Sequence, residues 1–261
     1  VPLAPSWVIG RGSRTVAHLV PDRSRKMFSF EIQTGVSAAE IAAADDAGTA
    51  KDSELVCPNS NCKACTPIKA IRGDGRGTFG ESKSLLRGWE NRDLVPRESD
   101  IFGERLYCIR WVDTWIEVDR NGREKVCSER HFGAPTHADL TREQKVLHLL
   151  TERFDAWQKQ GFIPSRRIEP GAKTDEPIRT RGWTHWHHLF TPRQLLVNGL
   201  LAERTAMAPI SKTCKVALTL GVGRCADWNS RLCRWDSSPA NEKSTQTYSN
   251  TADYTIGDNT T

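Results

Sequence analysis

Three cysteines close together are the residues of this sequence best suited to holding a metal. Cys57, Cys62 and Cys65 lie in the run CPNSNCKAC. Two thiolates in one tight turn supply half of a tetrahedral zinc site, whose four ligands usually come from two such turns. The rest of the sequence offers no convincing second pair, so we expect the missing ligands upstream of Val1. The alternative is that these are reduced cytosolic thiols, packed as small apolar side chains.

The histidine run HWHH at 185–188 is a second group with possible chemistry. It has no carboxylate or cysteine at metal-ligand spacing, and consecutive side chains point in different directions. The pattern therefore favours packing and hydrogen bonding just before a helix that starts at Thr191. Contact with phosphate, together with Arg179 and Arg181, is the other interpretation.

The polar run DWNSRLCRW at 227–235 is a third such group. One interpretation is a polar helix face whose cations favour the helix C-terminus. The other is that Asp227, Asn229 and Arg231 hydrogen-bond to a further protein segment or to DNA, since solubility alone does not require this combination.

Several stretches of the sequence resemble one protein family. The family is that of the large adenine-specific DNA methylases of prokaryotes, which begin with a domain of unknown function and carry a cysteine-rich insert. The resemblance covers the chain from about Trp7 to Asn250. It is carried by CPNSNC at 57–62, TPIKAIRGD at 66–74, DIFGERLYCIRW at 100–111, RTRGWTHWHHLF at 179–190, TPRQLLVNGLL at 191–201 and ADWNSRLCRW at 226–235.

The resemblance implies that the parent protein transfers a methyl group from S-adenosylmethionine to the N6 amine of adenine in DNA, after flipping the base out of the duplex. Cys57 and Cys62 would then be the second half of a zinc-ribbon-like insert. Cys65 departs from the usual pattern and leaves open which of Cys62 and Cys65 pairs with Cys57. Contacts to DNA or to the rest of the methyltransferase chain are expected from Arg179, Arg181, Arg193, Asp227, Asn229 and Arg231.

The sequence itself lacks the residues that this reaction needs. A cofactor loop requires glycines directly after a strand, whereas Gly221 and Gly223 lie inside a helical pattern. The catalytic tetrapeptide of the family contains Pro-Pro, which does not occur here. In the family these two motifs flank the stretch seen here, and the run VPLAPSW follows directly on a first cysteine pair. We therefore expect an inactive middle fragment with no catalytic or cofactor-binding residues of its own.

A protein of another class could carry the same features. The rival interpretation is a non-enzymatic zinc-ribbon DNA-binding or adaptor module. An upstream cysteine pair together with a downstream Pro-Pro-aromatic motif in the same reading frame would favour the methyltransferase.

Two helices with clear signals follow the histidines. Thr191 and Gln194 form a capping box, Pro192 fits the first helical position, and Phe190 can pack on Leu195. The second helix is predicted to start near Cys214 and to bury one face. That face comprises Leu218, Gly221, Cys225, Trp228, Leu232 and Trp235.

Two further helices are predicted from their capping signals. Ser37 and Glu40 form a capping box, and Gly48 is expected to end that helix in the left-handed conformation. An amphipathic helix is expected over 141–160, capped by Thr141 and Gln144 and ended by Gly161. Its apolar face comprises Val146, Leu150, Phe154 and Trp157.

Two β-hairpins are predicted. The first joins strands at 15–20 and 27–32 through a turn at 21–24. The second joins 104–118 and 123–132 through Asn121-Gly122, a strong two-residue hairpin signal. With that loop Cys127 lies opposite Ile116, about 26 Å along the ribbon from Cys108, so these two cysteines cannot share a metal or a disulfide.

The other connecting stretches read as irregular. Residues 71–100 are rich in Gly, Arg and Ser, and the run GDGRG at 73–77 lacks the lysine and the strand-loop-helix context of a phosphate-binding loop. We expect a mobile basic loop there, and an irregular proline-containing linker at 164–180. The polar run at 237–261 is expected to be poorly ordered.

Composition sets the broad class. The 261 residues are 38% hydrophobic and 26% charged with a net charge of +5, which fits a globular protein and permits an anionic partner such as DNA. The sequence shows neither a membrane span nor a signal peptide and predicts a cytoplasmic protein. The expected fold is α+β, with segments 1–70 (hairpin, helix, half zinc site), 71–136 (basic loop, hairpin), 137–235 (helical) and 236–261 (tail).

Overall fold

The computed structural model describes residues 1–22, 27–59, 61, 62, 64–78, 80, 82–171 and 174–244. These residues form a mixture of helices and strands, in agreement with the α+β class expected from the sequence. They divide into two compact units. Unit 1 comprises Val1–Cys65, Arg105–His137 and Ser237–Glu242, and unit 2 comprises Thr66–Glu104, Ala138–Asp236 and the chain from Lys243 onward.

The elements are numbered in chain order. The strands are β1 (Val8–Gly10), β2 (Thr15–Asp22), β3 (Met27–Thr34), β4 (Ala50–Lys51), β5 (Glu54–Val56), β6 (Cys65–Pro67), β7 (Gly75–Arg76), β8 (Ser82–Lys83), β9 (Ile109–Val118), β10 (Glu124–Gly133), β11 (Trp235–Asp236) and β12 (Lys243–Ser244). The helices are α1 (Ala38–Asp46), α2 (Ile68–Arg72), α3 (His137–Gln160), α4 (Asp175–Arg181), a 3-10 helix (Trp186–Leu189), α5 (Pro192–Met207) and α6 (Lys212–Trp228).

Unit 1 begins with an antiparallel sheet in the order β1-β2-β3. The predicted first hairpin is confirmed. Its turn differs from the prediction because Pro21 and Asp22 belong to β2, where they pair with Phe28 and Met27. The other two predicted turn residues, 23 and 24, lie outside the described residues. The sheet buries Val16 completely and packs it with other apolar side chains of unit 1.

Helix α1 begins as predicted and ends differently. The Ser37 hydroxyl accepts from the Glu40 N–H while the Glu40 carboxylate accepts from the Ser37 N–H, which is the predicted capping box. The residue after the helix is Ala47, and Gly48 does not adopt the left-handed conformation. A Cβ at Gly48 would lie 1.8 Å from the carbonyl oxygen of Pro5. This glycine therefore permits a close approach of two backbone segments.

Strands β9 and β10 form a long antiparallel ribbon whose register differs from the prediction. Cys127 pairs with Trp115 instead of Ile116. The Asp119 carboxylate accepts from the backbone N–H groups of Asn121 and Arg123 at 2.8 and 2.9 Å, and Gly122 has a φ of 75°. The Asp119 N–H also donates to the Arg123 carbonyl oxygen at 2.9 Å, so three residues lie between this pair, one more than predicted, and the register shifts by one.

In the observed register Cys108 and Cys127 are still too far apart to share a metal or a disulfide. Cys108 directly precedes β9, and the position opposite Cys127 is seven residues further along, about 23 Å at the usual rise of a strand. Both cysteines are free. Burial raises the pKa of the Cys108 thiol to about 11, so it stays protonated.

Unit 2 is built around α3 and α5. Leu150, Phe154 and Trp157 of α3 are buried, as predicted, and pack on Leu195 and Leu196 of α5. Helix α3 starts four residues before the predicted cap, so Thr141 lies within it and does not cap it. The first turn instead contains Asp139, a buried carboxylate paired with Arg142, and acidic groups favour a helix N-terminus.

The predicted start of α5 is confirmed in detail. The Thr191 hydroxyl accepts from the Gln194 N–H, the Gln194 side chain accepts from the Thr191 N–H, and Pro192 is the first helical residue. Phe190 packs against the cluster that contains Leu195. Gly161 ends α3 with a φ of 75°, also as predicted.

Helix α6 contradicts the prediction of a long buried face. It ends at Trp228, and none of its residues is buried. Leu218 is 49% exposed, and Trp235 lies beyond the helix on β11 with 38% of its surface exposed. Leu232 is buried, but in the segment that follows the helix. The spacing of four and three continues past Asn229 in the sequence, whereas the helical backbone does not.

The two stretches expected to be irregular are organised parts of unit 2 where the structure describes them. Trp89 and Leu94 are buried, and the arginines beside them pair with Asp93 and Asp100, so the 71–100 stretch is not a free basic loop. The expected linker contributes the buried Ile168 and the helix α4. A few buried apolar side chains hold both stretches in place, although their overall composition predicted irregular or mobile chain.

The chain is also divided differently from the four expected segments. Residues 66–104 belong with the helical unit 2, while the ribbon and residues 237–242 belong with unit 1. Glu242, in the expected tail, is buried and accepts from the Ser13 N–H at 2.6 Å. Residues 245–261 of that tail lie outside the described part of the chain. Among the described helices none has the length and apolar character needed to cross a membrane.

Candidate functional site

The Arg231 guanidinium is the centre of a densely bonded polar site in unit 2. Its side chain is only 6% exposed. It donates to the carbonyl oxygens of His188 at 2.7 Å, of Phe190, and of Leu94 at 3.3 Å. The backbone N–H of Arg231 donates to the carbonyl oxygen of Leu189 at 2.7 Å. These bonds hold the segment after α6 against the 3-10 helix.

The same guanidinium is neutralised by one carboxylate and enclosed by aromatic rings. Its Nε lies 2.6 Å from Glu104 Oε1, and its second terminal nitrogen donates to Glu104 Oε2 at 2.9 Å. The indole rings of Trp89 and Trp183 lie 5.5 and 5.8 Å from the guanidinium carbon. Cation–π contact and the ion pair together favour the charged group in this buried place. Groups of its own chain therefore already bind the Arg231 guanidinium.

The histidines before α5 form hydrogen bonds to backbone groups on both sides. His187 Nε2 lies 2.8 Å from the Asn91 carbonyl oxygen, and His188 Nε2 lies 3.1 Å from that of Glu90. His188 Nδ1 accepts from the backbone N–H groups of Thr184 and His185. The rings of His187 and His188 are 4.3 Å apart and both residues are 1% exposed. The predicted packing and hydrogen-bonding role is confirmed.

Burial also fixes the protonation state of these histidines. Desolvation lowers the pKa of His187 to about 4 and, reinforced by the neighbouring histidines, the pKa of His188 to about 3. Both imidazoles are therefore neutral at neutral pH. Within the described ranges no group of three or more His, Cys, Asp or Glu side chains is placed to hold a metal.

Two of the predicted contact residues lie at the end of α6, Asp227 in its last turn and Asn229 directly after it. Asp227 accepts from Arg224 at 2.8 Å. Asn229 is exposed and its side-chain amide donates to the Cys225 carbonyl oxygen at 2.9 Å, which caps the end of the helix. Part of the polar character of this run is therefore explained by local structure. The Asn229 side chain remains accessible to a partner.

Trp228 forms an aromatic surface flanked by cations, in place of the buried contact that the sequence suggested. Its ring is half-buried, with the Arg224 guanidinium carbon and the Lys243 Nζ each 5.5 Å from its centre. Tryptophan beside cations is the arrangement on which nucleic-acid bases stack. Trp228 is thus a further candidate that sequence analysis placed in the core.

The remaining arginine candidates differ in their partners. Arg179 pairs with Asp74 at 3.0 Å and Arg193 pairs with Glu143, the latter on an exposed surface. Arg181, at the end of α4, contacts the Phe102 ring with its guanidinium carbon 5.9 Å from the ring centre. Burial, followed by the charge of Arg72, lowers the pKa of Arg181.

Backbone hydrogen bonds hold the run that carries Cys57 and Cys62. The Cys57 N–H donates to the Ala64 carbonyl oxygen and the Cys62 N–H to that of Asn59, both at 2.9 Å. Cys57 is half-buried, whereas Cys62 and Cys65 are exposed. This donor set fits half of a zinc site, because two thiolates of one turn would supply two of the four ligands and two more would have to come from elsewhere.

The two glycines considered for a cofactor loop lie within α6, as their pattern indicated. Nothing lies within 4 Å of a Cβ added at Gly221 or Gly223. They therefore form neither a strand-to-helix turn nor a close approach of the kind that a nucleotide-binding loop requires.

Sequence reasoning missed a network beside the Arg231 site. Asp93 is buried and accepts from Arg87 and from Arg97 Nε at 2.8 Å, while Arg87 also pairs with Asp100 at 2.8 Å. Burial opposes ionisation of Asp93, but these hydrogen bonds lower its pKa overall. The alternation of Arg and Asp in RGWENRDLVPRESD was the available signal.

No protein-family model, no curated protein and no solved structure matches this chain.

Proposed function

We propose that this chain is the middle part of a DNA adenine N6-methyltransferase that uses S-adenosylmethionine. Unit 2 would help to position DNA and support the methyltransferase core, and the cysteine turn of unit 1 would complete a zinc-ribbon-like insert. The chemistry would reside in parts of the parent protein outside this chain. The parent would be cytoplasmic, where chromosomal DNA is accessible.

One observation carries the proposal. The stretches that resemble the methylase family are far apart in sequence, yet four of them are joined by direct contacts in unit 2. Arg231 of the 226–235 stretch binds carbonyl groups of His188 and Phe190 in the 179–190 stretch. It also pairs with Glu104 of the 100–111 stretch. Arg179 in turn pairs with Asp74 of the 66–74 stretch.

This arrangement supports the proposal because stretches that belong to one family fold are expected to pack together. Residues in the stretches that carry the resemblance form inner contacts of one packed unit, as expected if these stretches belong to a common fold. The surface candidates then supply the interaction with DNA. Arg179, Arg181 and Arg193 carry positive charge suited to phosphate, and Trp228 carries an aromatic ring between cations.

The coding sequence on either side of this chain gives the first test. We expect a cysteine pair shortly upstream and a polar-Pro-Pro-aromatic tetrapeptide downstream. A chain extended to include the upstream pair should bind about one zinc ion, because thiolates of two turns then complete a tetrahedral site. The 261-residue chain should lose zinc readily to a chelator, as measured by elemental analysis after dialysis.

Two results would count against this account. An upstream cysteine pair without any downstream Pro-Pro-aromatic motif would favour the non-enzymatic zinc-ribbon adaptor. Stoichiometric, chelator-resistant zinc in the 261-residue chain would show that its own residues complete the site. A Cys57→Ser variant of the extended chain is the matched variant, since it should lose the metal.

A further inference from the structure

The β9–β10 ribbon carries exposed aliphatic side chains on one of its two faces. Residues paired directly across an antiparallel ribbon point to the same face, and the faces alternate along each strand. The observed register therefore places six side chains on the same face as the buried Phe132, further out along the ribbon. The valine and isoleucine side chains among them are 45% to 72% exposed. We name this set the aliphatic face, and it comprises Val112, Thr114, Ile116, Val118, Val126 and Ser128.

The aliphatic face has no second layer over it in the described part of the chain. Phe132, at the base of this face, packs in the core of unit 1, whereas every row further out is exposed. A two-stranded ribbon gains little stability by itself and needs packing against a further layer. Apolar side chains that lie together on a surface mark a place of interaction. The aliphatic face is therefore suited to an apolar partner surface.

The charge of the ribbon argues against nucleic acid as that partner. Residues 109–133 contain five arginine and lysine residues and five aspartate and glutamate residues. Proteins bind nucleic acid mainly through an excess of positive charge, which neutralises phosphates. The ribbon has no such excess, so we expect a protein surface to cover the face.

Two charged side chains lie at opposite ends of the aliphatic face. Arg130 is paired with Val112 near the base, and Glu124 is paired with Val118 near the tip. Six residues of β10 separate the two charges, about 20 Å, so they cannot form an ion pair within one copy. Among the described residues neither side chain has a hydrogen-bond or ion-pair partner. The face therefore has a positive end and a negative end.

We propose that the aliphatic face binds the same face of a second copy of this chain. A two-fold axis that lies between the two faces and runs across the strands places Arg130 of each copy over Glu124 of the other. The same rotation places Val112 over Val118 of the second copy, and Ile116 over Thr114. The face is thus complementary to itself in both charge and apolar character, as a two-fold interface requires. This inference does not depend on the proposed function.

The size of the face sets the strength of the association. Covering the aliphatic face and its two terminal charges in both copies would bury on the order of 1,000 Å², which is typical of weak and transient complexes. We therefore expect a reversible dimer with a dissociation constant between about 10 μM and 1 mM. Sedimentation velocity of the 261-residue chain between about 5 μM and 1 mM should show a mass that rises from monomer towards dimer.

Charge reversal tests the pairing of Arg130 with Glu124. Arg130→Glu and Glu124→Arg are each expected to raise the dissociation constant about tenfold or more, because like charges then face each other. The double variant should restore the affinity, since opposite charges meet again. Lys125→Glu and Glu129→Arg make the same reversals on the same strand but on the opposite face, so they should leave the dissociation constant unchanged.

The apolar part of the contact is tested by Ile116→Thr. Threonine is also β-branched and residue 116 is 62% exposed, so the melting temperature of the dilute monomer should change little while the dimer weakens several-fold. A chain that stays monomeric up to about 1 mM would overturn the proposal. A dimer that both single charge reversals leave intact, or that the double variant does not restore, would place the contact on another surface and would overturn it as well.

Discussion

Replacing Arg231 with methionine is expected to lower the free energy of unfolding of unit 2 by about 3 to 5 kcal/mol. Methionine keeps much of the apolar volume but makes none of the bonds of the guanidinium. The carbonyl oxygens of His188 and Phe190 and the Glu104 carboxylate would lose their donor. A buried polar group left without a partner costs more than the lost bond was worth.

The measurement is denaturant unfolding followed by near-ultraviolet circular dichroism, which reports on the packing of Trp89 and Trp183 beside this site. The matched control is Arg193→Met, which removes an arginine from an exposed pair with Glu143. Exposed ion pairs contribute about 1 kcal/mol or less, so this variant should be close to the unmodified chain. Equal small losses in both variants would contradict the central structural role given to Arg231.

Acidification from pH 7.5 to 5 is expected to destabilise unit 2 through its two buried histidines. The pKa values of His187 and His188 are about 4 and 3 in the folded chain, below the value of about 6.5 for an exposed histidine. Below about pH 6.5 the unfolded chain therefore binds protons that the folded chain does not. The free energy of unfolding is unaffected by these groups above that pH and falls below it.

The size of the effect follows from the same linkage. Each histidine lowers the free energy of unfolding by up to about 1.4 kcal/mol for every pH unit between about 6.5 and its folded-state pKa. Urea unfolding at pH 7.5, 6 and 5 measures the slope. These three pH values lie above the range in which Asp93 and Asp100 begin to titrate, because arginine contacts lower the pKa of both carboxyl groups.

Two variants assign this slope to the buried rings. His187→Gln is expected to be less stable at pH 7.5 but to show a smaller slope below pH 6.5, since one titrating group is gone while His188 and His185, whose pKa burial also lowers, remain. His148→Gln replaces an exposed histidine paired with Glu152 and should keep the full slope. If His187→Gln retained the full slope as well, the pH dependence would have to come from other groups.

Local signals in the sequence predicted the elements better than their packing. The start of α5 was predicted to the residue because Thr191, Pro192 and Gln194 act only on their neighbours. The extent of α6 was not, because a spacing of four and three continues past Asn229 although the backbone turns away. The register of the β9–β10 ribbon was wrong by one because the Asp119 carboxylate closes a three-residue loop.

In the candidate site, too, the sequence indicated individual residues but not the contacts that they make. Sequence reasoning selected Arg231 but could not show that its partners are His188, Phe190 and Glu104, which are distant in the chain. It also placed Trp228 in a core, since an apolar ring at helical spacing does not reveal that cations from Arg224 and Lys243 surround it. Contacts with distant segments determine the partners of Arg231 and the Lys243 side of Trp228, and a single sequence does not show such contacts.

The most direct test of the account measures methyl transfer by the full-length parent protein. Duplex DNA is incubated with the protein and isotope-labelled S-adenosylmethionine, digested to nucleosides and analysed by mass spectrometry. The account predicts the label on N6 of deoxyadenosine, and none when the 261-residue chain is used alone, because it lacks a glycine loop after a strand and a Pro-Pro tetrapeptide. Label on cytosine, or no label from a folded protein that binds the same DNA, would contradict it.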